Sequence, residues 1–315
     1  MSDPFDVLTI GRVGVDFYPT EHGSLVAVRE FHKFLGGSPT NVAIAAARLG
    51  ERSAVITRTG PDPFGEYVHV ALRGFGVDDR YVTSCEGFQT PVTFCETFPP
   101  DHFPIYFYRQ PKAPDLEIHS SELDLDAIRD ARLFWATVSG LSQEPSRAAT
   151  MTALRARQRR HPTVLDLDYR PSFWRSPSEA TEASRAALAL ATIAIGNLDE
   201  VEIAVGTRDP DLAADRLLDL GCHLAVVKLG PGGVLARSRD ERIQARPMAV
   251  QVVNGLGAGD AFGGAFCHGV LAAWTLEDVI RFANTAGAIV ASRLSCSEAM
   301  PTVPEIEDLL EKEPT

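Results

Sequence analysis

Positive charge is in short supply in this 315-residue chain: 30 Lys and Arg stand against 42 Asp and Glu, a formal net charge of −12. The long-range field of such a protein repels phosphate, which disfavours nucleic acid and anionic membrane as partners. An anionic ligand must therefore meet a locally built positive site. Cysteine is scarce too. Cys85, Cys95, Cys222, Cys267 and Cys296 are odd in number, scattered and without a C-x-x-C pair. That argues against a disulfide framework or a zinc site and for buried thiols in a reducing compartment. The N-terminal MSDPFDVLTIGRVGVD carries acids where a secretory signal carries basic residues. No window approaches the roughly 18 uninterrupted apolar residues of a membrane span. The chain thus reads as cytoplasmic. Two phosphate-binding motifs are also missing, G-x-x-x-x-G-K-[ST] and G-x-G-x-x-G.

What is present is the composition of an ordinary globular protein, 45% hydrophobic and 23% charged, with no long linker, internal repeat or low-complexity tract. One domain over residues 1–315 is expected. DVLTIGRVGVDFY is a short apolar run that suits a buried first strand, and RSAVITRTG another. SPTNVAIAAARLG reads as a helix capped by Ser38 or Thr40, with Pro39 in its first turn and Gly50 at its end. FGEYVHVALRGFG is helical, and from DLDAIRDARLFWATVSG onward helix and strand alternate to about residue 229. Such alternation implies a parallel sheet with helices on both faces, because parallel neighbours need crossover connections. Residues of about 12–35 and 90–113 break the rhythm. SLVAVREFHKFLGG alternates as a half-exposed strand pair, and PVTFCETF and FPIYFYRQP are extended with no helix between them. These two segments are expected to pair into a small β lid beside the main sheet, whose open edge offers a surface for homodimerisation. EIEDLLEKEPT reads as an acidic helix end and solvated tail.

The most informative stretch is VVNGLGAGDAFGGAF, residues 252–266, which reads as a strand passing into a helix. A helix start leaves backbone N–H groups unpaired and carries partial positive charge, so it holds an anion without Lys or Arg. Gly257, Ala258 and Gly259 would let phosphate approach those amides. Asp260 then falls in the first turn. A carboxylate beside an anion hole repels phosphate, so it is a poor holder. It makes sense as the acceptor of a proton from a hydroxyl attacking phosphorus. The plain alternative is a capping Asp on a close-packed helix.

NGLGAGDAF and GGSPTNVAIAAARLG resemble, in order, the second and first signatures of the PfkB, or ribokinase-like, carbohydrate kinases, and the likeness runs over essentially the whole chain. GRVGVDFYP, FHKFLGGSPTN, FYRQPKAPDL and EAMPTVPE resemble the family's branch of sugar-acid kinases of inositol breakdown. The resemblance implies a doubly wound, mostly parallel α/β sheet with a small β lid, transfer from ATP to the terminal hydroxyl of a small sugar acid, and a requirement for Mg²⁺. It makes Asp260 the general base and the Gly257, Ala258 and Gly259 amides the anion hole. It gives Asp16, Gly37 and Asn41 the sugar hydroxyls. Asn254 stands where many relatives have an Asp that helps bind a monovalent cation, a departure that counts against potassium activation.

Arg109 in YFYRQP and Arg170 in LDYRPSFW each follow a strand beside aromatics that can hold a guanidinium flat, and a planar fork suits a carboxylate. An acid sugar would pair with them; an internal pair with Asp166 or Asp168, or contact with phosphate rather than substrate, is the alternative. Tyr106, Tyr108 and Lys33 are weaker candidates on the lid. On the nucleotide side, Asn197 and Glu200 in IGNLDEVE resemble the family's N-x-x-E motif, in which the Glu organises Mg²⁺ through water, although the same pair would also cap a helix. Lys228, Gly230 and Gly233 in VVKLGPGGV resemble its nucleotide loop, and Asn284 lies where relatives contact adenine. Rival readings are a kinase for 2-dehydro-3-deoxygluconate or a ketose such as fructose, and a sugar- or nucleotide-binding regulator without chemistry. The intact Gly-Ala-Gly-Asp turn speaks against the last.

Overall fold

The computed structural model describes residues 3–312; the last three residues of the expected acidic tail lie outside them. Strands β1 (Val7–Ile10), β2 (Gly14–Pro19), β3 (Phe31–Gly36), β4 (Ser53–Thr59), β5 (Val82–Ser84), β6 (Val92–Cys95) and β7 (Ile105–Tyr108) occupy the first third. β8 (Leu133–Thr137), β9 (Thr163–Asp166), β10 (Ile193–Asn197), β11 (Leu224–Lys228), β12 (Val234–Arg237) and β13 (Arg242–Ala245) follow. The helices are α1 (Ser38–Arg48), α2 (Pro63–Gly74), α3 (Leu125–Asp130), α4 (Ser146–Arg157) and α5 (Pro177–Leu188). α6 (Leu198–Val205), α7 (Pro210–Asp219), α8 (Ala258–Leu271), α9 (Leu276–Ala291) and α10 (Val303–Glu311) complete them.

Nine strands form the main sheet in the order β13-β12-β11-β10-β9-β8-β1-β4-β5, parallel from β11 to β5, with β12 and β13 antiparallel at one edge. Apolar side chains alternate between its faces. In β8, Leu133 and Trp135 pack towards α1, α8 and α9, while Phe134 and Ala136 pack towards α4 and α5. Burial on both sides is what a parallel sheet requires, and it explains why these strands read as unbroken apolar runs. β3-β2-β6-β7 form a separate four-stranded sheet from the two segments that broke the helix-strand rhythm.

Three local expectations are corrected. The SLVAVRE half of the supposed strand pair is turn and coil, and only β3 forms; Ala27 and Val28 N–H bond back to the Ser24 carbonyl. The run before the Gly-rich turn, residues 246–256, is coil rather than a strand, because its backbone is held by side chains and by the end of α9: Val253 and Asn254 N–H donate to the Ala291 carbonyl. Helix α1 starts on Gly37 without a side-chain cap, since the Ser38 and Thr40 hydroxyls bond elsewhere. β5 and β13 escaped the sequence reading; they are short edge strands, exposed on part of their length.

Candidate active site

Parallel strands end on the same side, so β1 delivers Arg12, β9 Asp166 and Asp168, β10 Asn197 and β11 Lys228 to one edge, where ligands of open α/β sheets collect. Helices α1 and α8 meet above it. Their contact is unusually close because it is made of small residues. A Cβ on Gly264 would collide with Ala45, and one on Gly263 with Trp135. This accounts for the glycines beyond the turn itself: they let α8 sink onto α1, which carries Ser38 and Asn41 to the carboxylate of Asp260.

Asp260 accepts hydrogen bonds from Ser38 Oγ (2.8 Å, to Oδ1) and Asn41 Nδ2 (2.8 Å, to Oδ2). Burial pushes its pKa above the ordinary carboxylate value, against those two bonds and the charge of Arg12. It lines a cavity with Asp16, Asn41, Gly37, Arg12 and Arg170. Asp16, on lid strand β2, lies so tightly over Gly36 that no Cβ fits there. Burial raises it to about 6, opposed by Arg12 and by a bond from Thr93, its register partner on β6. Gly37, at φ +105°, presses on the Arg12 backbone and turns the chain into α1. Asn41 Oδ1 is buried with no hydrogen-bond partner among the described residues, an acceptor suited to a ligand hydroxyl. The far wall is apolar, built from Tyr18, Cys95, Leu256 and Cys296.

At the turn, Gly257 sits in the left-handed region at φ +82° as the helix N-cap, and a Cβ there would stand 2.7 Å from Cys296 Sγ. The N–H groups of Ala258 and Gly259 have no backbone partner among the described residues. The Lys228 ammonium lies beside Gly259, 3.2 Å from where a Cβ would be. Burial alone would lower the Lys228 pKa, but Asp166, Glu200, Asp260 and Asp168 outweigh it and hold the ammonium charged. Amides and ammonium together make the local positive site that an acidic protein needs for a polyphosphate.

Asn197 and Glu200 form a reciprocal cap on α6: Asn197 Oδ1 accepts from the N–H of Asp199 and Glu200, and Glu200 Oε2 from Asn197 N–H at 2.7 Å. Glu200 is buried and close enough to Lys228 to raise it. Gly230 and Gly233 adopt positive φ in the turn from β11 to β12, where a Cβ on Gly233 would strike the Ala245 carbonyl. Asn284 Nδ2 donates to the Arg246 carbonyl at 2.7 Å, tying α9 to the 246–256 coil.

Arg109 is placed elsewhere. Its guanidinium bonds Asp115 at 2.5 Å and lies over the Phe173 ring, outside the cavity around Asp260, because Asp115 is buried and needs a cation. Arg170 does line that cavity, bonded to Asp168. Tyr106 and Tyr108 lie exposed on the lid, and Lys33 covers the Tyr67 ring. Sequence reasoning missed Arg12, Ser38 and Asp166. Arg12 sits one residue past the Gly that ends β1, an available signal; nothing in the sequence distinguishes Ser38 from a helix cap.

The chain belongs to the pfkB family of carbohydrate kinases, whose pattern it matches over residues 5–303. Within that family it is 33% identical to the 5-dehydro-2-deoxygluconokinase of Clostridium perfringens over 98% of this chain and 94% of the relative. It is 35% identical to the protein of the same name from Photobacterium profundum, over 98% and 95%. Its fold is that of a putative ribokinase II from E. coli solved in complex with ATP and Mg²⁺, at a TM-score of 0.88 and 23% identity over 98% of this chain and all of that one. A fructokinase from Vibrio cholerae in a fructose-, ADP- and calcium-bound form superposes at 0.85, with 25% identity over 98% and 100%.

Proposed function

We propose that this kinase transfers the γ-phosphoryl group of ATP to the terminal hydroxyl of 5-dehydro-2-deoxy-D-gluconate. The observation that carries the reading is the position of Asp260, which closes the first turn of an amide-lined helix start and also faces the cavity of Asp16 and Asn41. The sugar hydroxyl oxygen bonds to the γ-phosphorus, its proton passes to the Asp260 carboxylate, and the bond to the bridging oxygen breaks to release ADP. Asp16 and Asn41 orient the sugar. The Gly257, Ala258 and Gly259 amides and Lys228 take the charge that gathers on the phosphate oxygens.

Gly230, Gly233 and Asn284 border the nucleotide on this reading. Mg²⁺, when bound, would neutralise phosphate charge. Glu200, buried with one carboxylate oxygen engaged by its helix cap, would hold it through water, as a metal that keeps most of its hydration shell requires. Catalysis is read as independent of potassium. The Asn254 amide donates to the Leu294 carbonyl at 2.7 Å and accepts from Leu256 N–H at 3.0 Å, so the loop is closed by the protein itself.

The whole chain acts as one unit, with the four-stranded sheet over residues of about 12–35 and 90–113 as the lid that keeps water from the phosphoryl group. Its open edge strands β3 and β7 also suit a homodimer. Four of the five free thiols are buried, in keeping with a cytoplasmic enzyme. Among the described residues no helix is long and apolar enough to cross a membrane. The test is ADP release across a panel of acid and neutral sugars. Turnover should be highest on 5-dehydro-2-deoxy-D-gluconate, and a clear preference for 2-dehydro-3-deoxygluconate or fructose would replace the substrate.

A further inference from the structure

We infer that Arg12, paired with Arg170 across Asp168, seats the carboxylate of the substrate, and that Arg109 takes no part in it. The inference rests on the acid-sugar reading above. Asp168 accepts from Arg12 Nε at 3.2 Å and Nη2 at 3.3 Å and from Arg170 Nε at 3.0 Å, with Arg170 Nη2 2.9 Å away in an ion pair. Ser139 Oγ adds a third donor at 2.7 Å. Two guanidinium groups share this one carboxylate, in a cavity that Asp16 and Asp260 also line. Asp16 and Asp260 act on Arg12 through space, but neither accepts a hydrogen bond from it.

A guanidinium offers five N–H groups. Arg12 and Arg170 each commit Nε and Nη2 to Asp168, and Nη1 of each has no partner among the described residues while both side chains line the cavity of Asp260. Arg12 is also fixed at its base. Thr40 Oγ1 donates to its carbonyl at 3.1 Å, Gly37 packs against the same carbonyl, and the Phe107 ring lies 5.7 Å from the guanidinium carbon. A rigid, buried fork with free donors is what planar recognition of a carboxylate needs. Arg109, by contrast, lies outside this cavity. Asp115 takes its Nη2 on one oxygen and Val13 N–H on the other, so this pair braces the lid segment.

The test compares 5-dehydro-2-deoxy-D-gluconate with its uncharged C1 amide. The wild-type enzyme should favour the acid by about 10- to 100-fold in kcat/KM, the scale of charged hydrogen bonds. Arg12→Gln should abolish that preference by raising KM for the acid more than for the amide, any change in kcat through Asp260 being shared by both compounds. Arg12→Lys should restore part of it, and Arg109→Gln should leave it intact while lowering Tm. If Arg12→Gln does not fold, the acid-to-amide ratio of Arg12→Lys decides: a ratio equal to wild type overturns the proposal. So does an equal loss on both compounds in Arg12→Gln, the result expected if Arg12 touches the phosphoryl group or only braces Asp168. Turnover of the acid without preference over the amide removes the seat and leaves the substrate assignment standing. No turnover of the acid removes both.

Discussion

The Ser38 hydroxyl stands 2.8 Å from Asp260 Oδ1 and 3.3 Å from Asp166 Oδ2, one proton donor between two carboxylates. It can donate to only one of them, and the shorter contact gives it to Asp260. Asp166 then meets the Ser38 oxygen favourably only while protonated, in keeping with burial driving its pKa upward. The general base and a neighbouring acid whose pKa burial raises are thus separated by a single hydroxyl.

Asp260→Asn should lower kcat by about 10²–10⁴, the scale of a lost general base, with ATP affinity near wild type. Ser38→Ala removes a donor that favours the charged form, so the Asp260 pKa should rise further and the acidic limb of the kcat profile should move to higher pH. Stopped ADP release from pH 5 to 9 checks both; an unmoved acidic limb in Ser38→Ala would separate Asp260 from that titration.

Asp16 carries a stability cost with a definite sign. Its carboxyl titrates near 6 in the folded protein against an ordinary value of 3.8. The unfolded chain releases this proton first, so the Asp16 contribution favours folding below about pH 4 and is lost as pH rises through 6. Asp16→Asn should therefore raise Tm at pH 7.5, by the equivalent of about 3 kcal/mol, and change it little at pH 4. The same variant should raise the sugar KM. Calorimetry at the two pH values, beside kinetics, tests the trade.

Lys228 lies beside Gly259 at the helix start and feels the charges of Asp166, Glu200 and Asp260. Lys228→Met should raise KM for ATP at least about tenfold and leave Asp166 and Glu200 without their counter-charge. Tm should then fall more steeply with rising pH than in the wild type. A variant with unchanged ATP kinetics would take Lys228 out of the nucleotide site.

Asn254→Asp probes the closed loop. The new carboxylate cannot donate to the Leu294 carbonyl, so two acceptors face each other and activity should drop about tenfold or more. Added KCl should restore part of it by supplying the missing positive charge, whereas the wild type should ignore KCl. Titration of activity against KCl at constant ionic strength distinguishes the two.

Much of the fold was legible because a doubly wound sheet leaves an unusually plain trace: strands buried on both faces, such as LFWAT and LAVVK, read as solid apolar runs between amphipathic helices. Asp260 and its amides were legible because helix starts have local chemistry. What failed was whatever depends on distant partners. The Arg109 fork looked available in sequence because its acceptor, Asp115, lies past two prolines and gives no sign of being buried. AVQVV has the composition of a strand and no neighbour to pair with. Ser38 has the position of a cap, and only the depth to which α8 sinks on α1 turns its hydroxyl towards a different helix.

Asp16 belongs to the small sheet, whereas Asp260 is rooted over the large one, so neither sheet alone encloses a sugar. Parting them by a single layer of water would hydrate both acids at once, returning Asp16 to ordinary acidity and letting Asp260 shed the proton it had taken. Discharge of the phosphorylated product and resetting of the base would then be the same event, and the proton would depart by the door through which the product leaves.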